Sequence, residues 1–236
     1  INLHFQELLD IDSRADIYRK DMQTGELILV SVNNDGNALN TNQAYDTAIS
    51  SDGRYVVFYS GEALVSADTN NHYDIYIRDV LEGTTRLVCT TSEGAVGDRP
   101  SYHPSVSADG NLVAFTSDAS NFDGEPGRDV FVKNLSTGEL ILVSAGLDGN
   151  GGNSTSDQPE ISADGRYVVF RSAANNLVNA DTNGQWDVFR YDMQTGETIR
   201  ISEGDDSSFF GNDGANAYSY DPSISDDGQI ITFYPG

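Results

Sequence analysis

The chain repeats itself four times, and that repetition constrains its fold more than any other feature. The segment Asp68-Thr69-Asn70-Asn71-His72-Tyr73-Asp74-Ile75-Tyr76 recurs as Asp181-Thr182-Asn183-Gly184-Gln185-Trp186-Asp187-Val188-Phe189. Looser copies run from Asp10 to Tyr18 and from Asp123 to Phe131. The first aspartates of these copies are spaced by 58, 55 and 58 residues. A second marker, Ser-x-Asp-Gly before an apolar run, centres on Asp52, Asp109, Asp164 and Asp227, with steps of 57, 55 and 63. The surplus in the last step falls in an insertion from Asp205 to Asp213. Two independent markers in phase define a repeat unit of about 58 residues.

Each unit reads as four short strands. A brief first strand (Pro104-Ser105-Val106, Pro222-Ser223-Ile224) precedes the Ser-x-Asp-Gly turn. The second, as in Tyr55-Val56-Val57-Phe58 and Tyr167-Val168-Val169-Phe170, is apolar throughout and therefore covered on both faces. The third, Asp74-Ile75-Tyr76-Ile77-Arg78, alternates with period two. The fourth is Leu27-Ile28-Leu29-Val30 or Thr85-Arg86-Leu87-Val88. An Asp-x-x-Thr-Gly loop joins third to fourth (Asp21 to Gly25, Asp192 to Gly196, and Asn134 to Gly138 with Asn first), its glycine supplying the positive φ of a tight hairpin. No stretch carries helical periodicity. The expected fold is all-β: a single β-propeller domain over 1–236, with repeats at approximately 2–60, 61–120, 121–174 and 175–236, each a four-stranded antiparallel blade. The chain opens before a third strand (Asp16-Ile17-Tyr18) and closes on a second (Ile230 to Phe233). Two arrangements follow: a closed ring with Ile231 and Phe233 beside Ile17 and Tyr18, or a piece of a longer array.

Pro104 to Gly110 (Pro-Ser-Val-Ser-Ala-Asp-Gly), Asp181 to Phe189 and the Asp-x-x-Thr-Gly loops together resemble the TolB-type, WD-like propeller repeats of bacterial envelope and secreted proteins. The resemblance covers essentially the whole chain. It implies a platform for binding or assembly rather than one particular chemistry. The third copy departs furthest, with Asp123-Gly124-Glu125-Pro126-Gly127 in place of Asp-Thr-Asn-Gly, and the first has Asp10-Ile11-Asp12.

Thirteen Lys and Arg against 37 Asp and Glu give a net charge of −24. Such a surface repels nucleic acid and anionic membranes and attracts cations. No signal peptide and no run of 18 apolar residues is present, so no membrane insertion is expected. The acidic, Asn- and Gly-rich, nearly Cys-free composition suits a secreted bacterial protein in the extracellular space or periplasm. Cys89 is the sole cysteine, which excludes an intrachain disulfide and reads as a small buried hydrophobe in a strand.

The repeated loops carry the main candidate chemistry. Oxygen side chains at the first, third and seventh positions, with the fifth carbonyl, form the start of a calcium loop. The sets are Asp10, Asp12, Arg14 (carbonyl) and Asp16; Asp68, Asn70, His72 (carbonyl) and Asp74; Asp123, Glu125, Gly127 (carbonyl) and Asp129; Asp181, Asn183, Gln185 (carbonyl) and Asp187. Carboxylates stacked on one loop repel unless a cation joins them, so four calcium ions are expected. Against this, Asp and Asn in turns often cap their own backbone amides, and the distal Glu and the glycine of an EF-hand are missing.

Other motifs read as structure. Ser-x-Asp-Gly resembles a sialidase Asp-box, but the following aromatic is inconsistent and no arginine triad accompanies it, so a hairpin turn is expected. His4, His72 and His103 are scattered, and His103 near Asp98 lacks a Gly-x-Ser-x-Gly elbow and reads as a surface-loop residue. Tyr73 and Trp186 occupy equivalent positions, able to stack on a sugar or to cover a blade edge. Asn134-Leu135-Ser136 and Asn153-Ser154-Thr155 match the glycosylation pattern, which carries little weight in bacteria.

The functional expectation is a non-enzymatic, calcium-stabilised extracellular propeller that binds a protein or glycan partner. The alternatives are a glycan hydrolase or lyase with carboxylates at the propeller mouth, and a filament or surface-layer subunit self-assembling through its terminal strands.

Overall fold

A computed structural model of the chain describes residues 15–38, 43–179, 181–202 and 219–235. Among the described residues there are strands and turns but no helix, hence none long and apolar enough to cross a membrane. Strands β1 (Tyr18–Lys20) and β2 (Leu27–Leu29) form a hairpin. Three complete four-stranded antiparallel sheets follow in chain order. The first comprises β3 (Ala44–Ile49), β4 (Tyr55–Ser60), β5 (Asp74–Asp79) and β6 (Thr84–Leu87). The second comprises β7 (Ser101–Val106), β8 (Leu112–Ser117), β9 (Asp129–Asn134) and β10 (Leu140–Leu142). The third comprises β11 (Ser156–Ile161), β12 (Tyr167–Ser172), β13 (Asp187–Asp192) and β14 (Glu197–Arg200). A last hairpin pairs β15 (Ser219–Ile224) with β16 (Ile231–Pro235).

The hydrophobic core lies between sheets rather than within one. Val57, Ile75, Ile77 and Val88 of the first complete sheet share a cluster with Val113, Phe115 and Phe131 of the second. Ala114, Val130, Val132 and Val143 of the second share another with Val168, Phe170 and Phe189 of the third. An equivalent aromatic pair spans the second and third strands of each sheet: Phe58 with Tyr76 (5.9 Å), Phe115 with Phe131 (6.1 Å) and Phe170 with Phe189 (5.7 Å). The third strand was expected to alternate, yet Asp74, Ile75, Tyr76 and Ile77 are all buried, as are Asp129 to Lys133. Covering a blade on both faces removes the solvent side that alternation would need. Cys89 is buried as expected, but just beyond β6 rather than in a strand.

The Ser-x-Asp-Gly motif is a hairpin turn and also a blade joint. Ser50 Oγ donates to Asp52 Oδ1 (2.7 Å) and accepts from the Tyr55 amide (2.9 Å), and Asp52 also caps the Arg54 amide. The same contacts recur around Asp109, Asp164 and Asp227. Successive turns are tied by backbone bonds from Ser51 to Ala108, Ala108 to Ala163 and Ala163 to Asp226. At the other end, the first strand of each complete sheet docks just ahead of the preceding third strand: Ala44 on Ala15, Ser101 on Tyr73, Ser156 on Arg128. Two belts of hydrogen bonds thus fix the first hairpin and the three complete sheets each to the next.

At the ends of the described residues, Tyr18 pairs with Leu29 in the first hairpin and Ile231 with Ile224 in the last.

Candidate functional site

Of the four expected calcium loops, the first lies largely outside the described residues: Asp10, Asp12 and Arg14 are not described. Its last member, Asp16, accepts from Ser31 Oγ (2.6 Å). In the second loop Asp68 is buried, capping the Asn70 amide and accepting from the Tyr76 hydroxyl. Asn70 Oδ1 accepts from the His72 amide (2.7 Å), and its Nδ2 donates to the Gly97 carbonyl (2.7 Å). Asp74 is fully buried, with Oδ1 taking the Cys89 thiol (2.9 Å) and Oδ2 left without a partner. Burial raises the Asp74 carboxyl to about 6, opposed by the thiol bond and reinforced by the charge of Asp68.

In the third loop Asp129 Oδ1 accepts from Ser144 Oγ (2.7 Å) and from the Gly152 amide (3.2 Å). Burial lifts Asp129 to about 6, the Ser144 bond opposing it and the Asp123 charge adding to it. Asp123 is raised too, first by burial and then by Glu125, while its Oδ1 caps the Glu125 amide. Gly127, like Glu125, is exposed. In the fourth loop Arg200 Nη1 sits 3.0 Å from Asp181 Oδ1 and 3.6 Å from Asp187 Oδ2. Asn183 Nδ2 donates to Asp187 Oδ2 (2.8 Å), its Oδ1 accepts from the Gln185 amide, and Ser202 Oγ donates to Asp187 Oδ1 (2.5 Å). Among the described residues no three His, Cys, Asp or Glu side chains converge as a metal cluster. A cation at any of these loops would therefore draw on amide or main-chain oxygens and water besides its aspartates.

A second constellation escaped the motif reading. The first strands β3, β7, β11 and β15 each carry a bulge at the same place. The bulged residues Asp46 (φ 34°), His103 (φ 50°), Gln158 (φ 53°) and Asp221 (φ 48°) all adopt left-handed backbone. Such residues cost about 1–3 kcal/mol each and tend to mark functional positions. His103 therefore belongs to strand β7, not to a surface loop.

Around them a rim assembles from equivalent columns of the repeat. Tyr45, Tyr102 and Tyr220 share one column, where the third complete sheet has Asp157. Tyr59 and Tyr234 share another, where Thr116 and Arg171 depart. Tyr73 and Trp186 share the position before the third strand, where Arg128 departs. Tyr45, Tyr59, Tyr73 and Tyr102 form one aromatic cluster, with ring centroids from 5.4 to 6.4 Å apart. Arg128 lies over Tyr102 (5.3 Å), and Arg171 lies over both Trp186 (4.9 Å) and Tyr220 (5.5 Å).

The departing residues converge on Asp157. It accepts from the Thr116 hydroxyl (3.1 Å) and the Gln158 amide (2.8 Å) and pairs with His103 Nδ1 at 2.8 Å. Arg171 and Arg128 approach its other oxygen at 3.4 and 3.8 Å. Burial works against its charge, yet the His103 bond and the surrounding cations hold the carboxyl at about 2. His103 Nε2 faces Asp46 Oδ2 at 3.7 Å. Gln158 Oε1 and Arg171 Nε are buried without hydrogen-bond partners. Beside the rim, His72, Asp98, Arg99, Pro100, Asp118 and Gly127 help to line an open cleft of about 690 Å³. The arrangement offers ring faces, hydroxyls and ordered hydrogen-bonding edges, which suit recognition of a peptide or sugar.

The three complete sheets and two hairpins are those of a TolB-like propeller fold. TolB from Acinetobacter baumannii superimposes with a TM-score of 0.56 and 18% identity over 92% of this chain and 42% of that one. A putative TolB from Agrobacterium tumefaciens gives 0.60 and 18%, over 95% and 64%. The tricorn protease gives 0.51 and 15%, over 94% of this chain and 23% of that one. The chain thus spans less than two thirds of the TolB structures it matches, and at these identities the likeness is one of fold. No protein-family model matches the sequence, and the curated proteins return no match.

Proposed function

We propose that the protein is a non-enzymatic, extracellular or periplasmic binding module whose protein or glycan partner seats on the rim of the first strands. One observation carries this reading. The repeat is kept where it builds blades and broken where it faces the rim, at Arg128, Asp157, Arg171, His103 and Thr116. The tyrosine cluster adds large, stiff contact area beside them. Tyr102→Ala and Arg171→Ala should weaken binding to a hit from a peptide or glycan panel at least tenfold while each variant still unfolds in one cooperative transition. If partners bind these variants and the parent equally, the rim is not the binding surface.

The pairing of His103 with Asp157 favours a second reading, an enzyme using His103 as general base. In that case a glycan, ester or peptide substrate would turn over and His103→Ala would abolish the activity. The binding reading expects no turnover.

A further inference from the structure

The four loops share one sequence pattern, but the described ones neutralise it differently. In the fourth, the two aspartates are bridged from within the chain by Arg200, and Asn183 donates to Asp187 as well. Arg200 stands opposite Phe189 in the sheet. The residues in that place in the other complete sheets are Leu87, opposite Tyr76, and Leu142, opposite Phe131. A leucine brings no charge, so the second and third loops have no guanidinium to replace Arg200.

In each of those two loops a deeply buried aspartate leads the third strand. Asp74 is 0% exposed and its Oδ2 has no hydrogen-bond partner. Asp129 is 3% exposed, with Ser144 Oγ and the Gly152 amide on its Oδ1. In the third loop the two carboxylates converge on one spot. A Cβ on Gly151 would lie 3.0 Å from Asp123 Oδ2 and 3.0 Å from Asp129 Oδ2, so the absent side chain leaves room where the carboxylates meet. An unpaired charge buried this deeply is strongly unfavourable, and hard oxygens on a flexible loop select calcium among common cations.

From this we infer that the second and third repeats, and not the fourth, each hold a calcium ion between the first aspartate of the loop and the aspartate leading the third strand. Asp68 and Asp74 supply one pair of ligands, Asp123 and Asp129 the other, and main-chain oxygens and water complete each shell. In the fourth repeat Arg200 takes the place of the ion. The inference is independent of the partner-binding reading.

The test is calorimetric titration of chelator-stripped protein with calcium chloride, read as differences between variants so that an ion in the first repeat cancels. Asp74→Asn and Asp129→Asn should each lose one ion per chain, and Asp181→Asn should lose none. Arg200→Leu, which installs the residue of the sibling repeats, should gain one. Magnesium should compete poorly, because it requires small octahedral sites. Should Asp74→Asn or Asp129→Asn fail to fold, Asp68→Asn and Asp123→Asn report on the same ions, and Arg200→Leu remains a gain of binding. The inference is overturned if no calcium binds at millimolar concentration, if Asp181→Asn loses an ion, or if Arg200→Leu leaves the count unchanged.

Discussion

Replacing Gly110 by alanine tests whether the Ser-x-Asp-Gly turns join blades as well as turn the chain. Gly110 has φ +72°, and a Cβ there would lie 2.5 Å from Cγ of Tyr55, in the preceding sheet. Left-handed backbone at an alanine costs about 1 kcal/mol. Forcing a methyl against the root of an aromatic ring that is fixed in the inter-blade cluster adds about 2 kcal/mol. Gly94 is the control, since its φ is +89° and a Cβ there meets nothing within 4 Å. Gly94→Ala should therefore cost about 1 kcal/mol, and Gly110→Ala about 3 kcal/mol. For a chain of this size that difference separates the melting midpoints by roughly 4–8 °C. Denaturant unfolding followed by circular dichroism gives both values. In a Tyr55→Ala background the clash is gone, and Gly110→Ala should cost only about 1 kcal/mol, a coupling of about 2 kcal/mol. Equal penalties at Gly94 and Gly110, or a penalty at Gly110 that survives removal of the Tyr55 ring, would refute the blade-joint argument.

Two further outcomes follow from buried ionisable groups. Asp157 is held at about 2, below the ordinary carboxyl value of 3.8, so its charge stabilises the fold above pH 4 and that contribution fades as the pH falls toward 2. Asp157→Asn should lower stability by about 2 kcal/mol at pH 7, with the gap to the parent narrowing in urea titrations at pH 3. Cys89 is fully buried and its thiol is raised well above 9.0, chiefly by burial and then by the Asp74 charge. An aromatic disulfide reagent should leave it untouched in the native protein and modify it at the rate of unfolding, and rapid labelling of the folded chain would contradict the packing around Asp74.

Much of the fold was legible because its signals are local. The Asp-x-x-Thr-Gly loops and Ser-x-Asp-Gly turns specify their own backbones through Asx caps and a positive-φ glycine, visible within five residues. That Gly110 must also clear Tyr55 was not legible, because the neighbour comes from another blade. The alternation read into the third strand failed for the same reason: stacking of sheets decides which face meets water. The rim was partly legible. Lining up the copies column by column exposes Asp157 among Tyr45, Tyr102 and Tyr220, and Arg128 between Tyr73 and Trp186. A search for what the repeats share passes over the columns where one copy departs. Arg200 was harder to find, since only the register opposite Phe189 brings it onto Asp181.

The distribution of cations narrows what the rim can recognise. Arg54, Arg128, Arg166, Arg171 and Arg200 each hold an aspartate of the same chain, namely Asp79, Asp118, Asp192, Asp157 and Asp181. At the rim itself, the Arg128 and Arg171 guanidiniums are committed to carboxylates and to ring faces. An anionic partner would have to break those pairs while approaching a chain of net charge −24, and both terms oppose it. A neutral partner meets neither penalty, and a basic one gains from the long-range field. Added salt then separates the two: over about 0.05–0.5 M, where the Debye length shrinks from above 10 Å toward a few Å, a basic partner loses association rate and a neutral glycan does not. Binding that strengthens with partner acidity would show that the arginine pairs are opened on contact, and that the rim is an anion site after all.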